Sequence, residues 1–77
     1  MNRIERYFRL KMEAANFRRR EIADKLFITP EGLEHQLRKP WRRWTLGQLV
    51  EYSEAVGGSV EDVMVVALMC MKGDAEA

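Results

Sequence analysis

Thr29-Pro30, Pro40 and the pair Gly57-Gly58 interrupt the chain at places that no long helix can cross, and this punctuation confines it to short elements. Pro40 has no N–H and clashes with the turn before it, so it ends whatever precedes it. Pro30 follows a capping threonine and suits the first position of a new helix. The paired glycines close another helix. Between these marks the apolar residues recur at helical spacing, and no stretch alternates with period two. The 77 residues therefore read as all-α, with one domain over residues 1–72 and a frayed tail over 73–77.

Five helices are expected. Ile4, Phe8, Lys11, Met12 and Ala15, with Tyr7, share one face of a first helix from about residue 2 to 15. "RREIADKLF" gathers Ile22, Ala23 and Leu26 on a short second helix. Thr29 caps a third, whose Leu33 and Leu37 face inward. Thr45 caps a fourth, "LGQLVEYSEAV", with Leu46, Leu49, Val50 and Val56 on its buried side. Ser59 caps the fifth, and Asp62 at its third position faces the positive helix end.

Chemistry is sparse. Cys70 is the single cysteine and His35 the single histidine, so neither an intrachain disulfide nor a cysteine-based metal site can be built. No acid–base pair converges beyond ordinary helix spacing, and the expectation is a non-enzyme without cofactor or metal. The longest apolar run, Val63 to Met71, is nine residues, whereas a bilayer span needs about 20. "MNRIERYFRLKME" has no continuous apolar segment of the secretory kind. A soluble, cytoplasmic protein without membrane contact is expected.

The net charge of +1 conceals a bipolar chain. Residues 1–45 carry twelve Lys/Arg against six acids, whereas residues 46–77 carry Lys72 against six acids. A basic half joined to an acidic half points to a polyanionic partner on one side.

Two stretches, "EIADKLFITPEGLEHQL" and "WTLGQLVEYSEAVGGSVEDVM", carry a resemblance. Over roughly residues 3–68 the chain resembles the Cro/repressor-type (XRE-like) helix-turn-helix family of phage and bacterial regulators. The first stretch is similar to that family's second helix, turn and recognition helix. The second is similar to its following helix, glycine turn and capped last helix. Independently of the family, a steep helix crossing needs small residues at the contact; Ala23 and Gly32 stand where these would lie. The resemblance implies a five-helix domain that binds double-stranded DNA, with helix 3 in the major groove.

The family pattern is broken twice. Phe27 stands where the family has Gly at the turn, so either the turn is remodelled or a strained Phe27 is exposed. The family's base-reading side chains map onto Pro30, Glu31, Glu34 and His35, two of them acids. A carboxylate can accept from the exocyclic amine of cytosine, but Glu31 equally favours the helix N-terminus and Glu34 equally pairs with Arg38 at i,i+4. Glu31, Glu34, His35 and Gln36 are the candidate base contacts. Arg18, Arg19 and Arg20 at the start of helix 2, and Arg38, Lys39, Arg42 and Arg43 after helix 3, are the candidate phosphate contacts. Trp41 and Trp44 interleave with the second group, one expected in the core and the other at its rim.

The last helix is apolar around its circumference from Val63 to Met71, more than a short chain can cover. A homodimer through Val65, Val66, Leu68, Met69 and Met71 is expected, with Cys70 a buried hydrophobe. Together these features suggest a small dimeric regulator of phage or prophage type. The alternative is a helix-turn-helix scaffold used as a protein-binding inhibitor or adaptor, for which acids on helix 3 and an exposed Phe27 would suit.

Overall fold

In the computed structural model, which describes residues 2–73, five helices follow one another: α1 Arg3–Ala14, α2 Arg19–Lys25, α3 Pro30–Leu37, α4 Leu46–Ala55 and α5 Val60–Met71. A three-residue 3-10 turn, Trp41–Arg43, lies between α3 and α4. The described residues form an all-α domain with no strand, and none of its helices is long and apolar enough to cross a membrane. The tail beyond Gly73, expected to fray, lies outside the described residues.

Four of the five helices begin where short polar side chains take up orphan N–H groups. Thr29 Oγ1 accepts from Gly32 N at 3.0 Å, and Ser59 Oγ from Asp62 N at 3.0 Å. Thr45 makes a reciprocal cap: its Oγ1 accepts from Gln48 N at 3.1 Å while Gln48 Oε1 accepts from Thr45 N at 3.0 Å. Asn2 opens α1 by accepting from Glu5 N at 2.8 Å. Each such cap contributes about 1 kcal/mol.

The core is one cluster centred on Phe8. Trp44 stacks on the Phe8 ring at 5.2 Å and meets Tyr52 edge-on at 5.0 Å. Ile4, Ile22, Ala23, Leu33, Leu37 and Val63 are fully buried around them. Trp44 is therefore the core tryptophan, while Trp41 is half-buried at the rim. Cys70 is buried.

Several placements differ from the sequence expectation. Leu46 is 66% exposed, because the buried side of α4 is formed by Leu49, Tyr52, Ser53 and Ala55, one turn further along. Ala15 is exposed, since α1 ends at Ala14 and Asn16 turns the chain with φ 58°. Gly32 does not serve the α2–α3 crossing: a Cβ there would meet the Thr29 hydroxyl at 3.2 Å, within its own cap. Ala23 does pack fully buried, and its carbonyl accepts from Ile28 N at 3.0 Å to close the turn.

That turn, residues 26–29, is not remodelled around Phe27. The residue takes the left-handed backbone at φ 59° and leaves its ring 95% exposed. At the other tight turn Gly57 supplies φ 75°, and Gly58 permits a close approach: a Cβ there would stand 2.5 Å from the Tyr7 hydroxyl.

Candidate nucleic-acid interface

α3 divides its side chains by spacing. Leu33, Gln36 and Leu37 form the inward stripe, Glu31 and His35 are exposed, and Glu34 lies between. Gln36 follows Leu33 by three positions and is only 6% exposed. Its Nε2 donates to Gln48 Oε1 at 3.3 Å, tying α3 to the cap of α4. The expectation that Gln36 faces base edges is thus corrected: it stands on the core side of its helix.

Glu34 is held in a cluster of arginines. Arg9 on α1 forks onto the carboxylate, Nη2 donating to Oε1 at 3.0 Å and Nη1 to Oε2 at 3.2 Å. Arg19 Nη1 lies 3.5 Å from Oε2 and Arg38 Nη2 lies 3.7 Å from Oε1. The expected i,i+4 partner, Arg38, is present, but it is the longest of these contacts. The hydrogen bonds from Arg9, and then the charges of Arg9, Arg19 and Arg38, hold the Glu34 carboxyl below the ordinary carboxylate range against the opposing effect of burial. Those same bonds raise Arg9 further into its charged form. Arg9 is fixed on its other side as well, since Nε donates to Glu5 Oε2 at 2.9 Å. Glu34 is therefore committed within the protein and is not a free acceptor on the outer face.

The remaining cationic candidates belong to the same two runs as Arg19 and Arg38. Arg18, Arg19 and Arg20 are exposed at the start of α2, as are Arg38, Arg42 and Arg43 after α3. Lys39 is half-buried, and its carbonyl accepts from Asn2 Nδ2 at 3.0 Å and Trp44 Nε1 at 3.3 Å, pinning the loop. The Arg42 guanidinium lies over the Trp41 ring at 5.3 Å. Arg9 had no place in the sequence reading of the site. Its signal was Glu5 four residues earlier on α1, a helical pair, but nothing local links it to Glu34.

α5 exposes Val65, Leu68, Met69 and Met71, while Val66 is half-buried against the core. Leu68 and Met71 join Trp41, Leu46, Leu49 and Met64 in lining an apolar groove of about 370 Å³. No family model matches the chain, and no characterised protein or solved structure is similar enough to count as a match.

Proposed function

We propose that the chain is a small helix-turn-helix DNA-binding protein of the Cro/repressor type, acting in the cytoplasm as a dimeric regulator of phage or prophage kind. One observation carries the reading: Arg19 from the run at the start of α2 and Arg38 from the run after α3 reach the same carboxylate, at 3.5 and 3.7 Å. The two basic runs therefore meet along one edge of the helix that would enter the groove. Such an edge suits neighbouring phosphates along a backbone that borders the groove. Arg18, Arg19, Arg20, Arg38, Arg42 and Arg43 provide the grip, with Lys39 beside them. Base readout falls to the exposed His35 and Glu31. With so few base contacts, the phosphate term dominates affinity and sequence preference is shallow. A second copy covering the exposed α5 side chains and Leu46 would place two such helices on one duplex.

Amide shift mapping with a short duplex tests this. Perturbation of Glu31, His35 and Arg38, with the α5 amides silent, is expected. A saturating duplex that leaves α3 unperturbed contradicts it.

Phe27 favours a second reading. A fully exposed aromatic in a strained backbone suits the anchor of a protein contact, which would make the chain a protein-binding inhibitor or adaptor. Phe27→Gly separates the two, because duplex affinity survives it if DNA is the partner.

A further inference from the structure

We propose, on the reading of the chain as a duplex binder, that Glu34 is a positioning residue that holds Arg19 and Arg38 in store and yields them to phosphate, limiting affinity for DNA of any sequence. Its partners are unequal. Arg9 makes a two-point fork, is held again by Glu5, and joins α1 to α3. Arg19 and Arg38 each make one longer contact, and their side chains are 58% and 73% exposed. Exposed single-point pairs of that kind contribute little, whereas guanidinium and phosphate match in a charge-assisted fork. The outer two contacts are therefore readily exchanged. The inner one is not, because losing it would strip a largely buried carboxylate of its firmest partner.

The arrangement has two consequences. Glu34 keeps both guanidinium groups gathered at the α3 edge, which lowers the ordering cost when they meet a backbone. It also competes with the phosphates for them, so a duplex that cannot engage both arginines gains little. Grip and restraint thus meet in one carboxylate.

The test is a thermodynamic cycle on a duplex of scrambled sequence. Wild type, Glu34→Gln, the Arg19→Ala/Arg38→Ala pair and the triple variant are titrated across a salt series, after each is shown to melt cooperatively. With both arginines present, Glu34→Gln is expected to tighten binding roughly tenfold and steepen the log–log salt slope by about one. With both removed, the same change is expected to alter affinity less than about twofold. An equal gain in the two backgrounds would mean plain repulsion between Glu34 and phosphate, and would overturn the proposal. No gain with the arginines present would overturn it too. If Glu34→Gln does not melt cooperatively, the wild type decides the question through its arginine Nε–Hε resonances. Arg19 and Arg38 should move as duplex is added while Arg9 keeps its position. Movement of Arg9 with the others, or stillness of all three in a saturated complex, contradicts the exchange. Failure of the wild type to bind duplex at low salt removes the DNA-binding reading and the proposal together. Binding without coupling removes the proposal alone.

Discussion

The guanidinium of Arg9 and the carboxylate of Glu34 face each other through two hydrogen bonds, at 3.0 and 3.2 Å, across 25 positions of sequence. This fork fixes α3 against α1 and removes from the outer surface one of the two acids that make the helix look ill-suited to DNA. The acid that remains exposed, Glu31, lies in the first turn of α3, where a negative charge favours the helix end.

Acid should weaken the fold through this pair. The Glu34 carboxyl is depressed in the folded state, so its contribution is fully present above the unfolded value of about 4.3 and is lost as pH falls through the lower folded value. Glu34→Gln is expected to cost about 1–2 kcal/mol at neutral pH. Urea unfolding of both proteins from pH 7 to pH 2 measures the difference, which should be constant near neutrality and shrink below about pH 4. A difference that stays constant down to pH 2 contradicts the ionic account.

Phe27→Gly should stabilise the protein. A left-handed backbone costs a non-glycine residue about 1–2 kcal/mol, and a ring that is 95% exposed recovers almost nothing by burial. After allowance for the unfolded-state freedom of glycine, a gain of about 0.5–1 kcal/mol is expected. In a domain of this size that raises the melting temperature by a few degrees, roughly 2–8 °C. A lower melting temperature would show that the ring packs on its neighbours in solution.

Gly58→Ala should be destabilising for a specific reason. The new Cβ would stand 2.5 Å from the Tyr7 hydroxyl, beside Ser53, while Gly58 N already donates to Ser53 O at 2.9 Å. A cost of about 1–3 kcal/mol is expected from the forced shift. Tyr7→Phe removes the oxygen in the way, so the same glycine substitution should cost clearly less in that background. Equal costs in thermal melts of the two backgrounds place the clash elsewhere.

Leu68→Glu is predicted to lower self-association. Leu68 is exposed and lines the apolar groove with Leu46 and Met71, so a charge there opposes burial against a second copy without disturbing the Phe8 core. Sedimentation at several concentrations should show wild-type dimers and a monomeric variant. A wild type that is monomeric throughout contradicts dimerisation.

Local signals made most of the fold legible. Thr29, Thr45 and Ser59 each cap the helix that their spacing announces, because capping depends on a few adjacent residues. Phe27 was legible as a conflict, since the turn requires a backbone that phenylalanine dislikes, and the conflict persists in the structure. Gln36 was legible in principle from its spacing to Leu33. The Arg9–Glu34 fork was not, because only the packing of α1 against α3 creates it. Leu46 misled for a similar reason: helical periodicity places it near the stripe of Leu49, but a first-turn residue can overhang the edge of its neighbours.

The measurement that bears most directly on DNA binding is fluorescence anisotropy of a labelled random duplex titrated with the protein at several salt concentrations. With Arg18, Arg19, Arg20, Arg38, Arg42 and Arg43 gripping phosphates, binding should saturate at low salt and weaken steeply as salt rises. Replacing Arg42 and Arg43 by Ala should flatten the log–log slope by about two. An absence of binding at low salt, or an affinity indifferent to salt, would contradict the account and direct attention to a protein partner at Phe27.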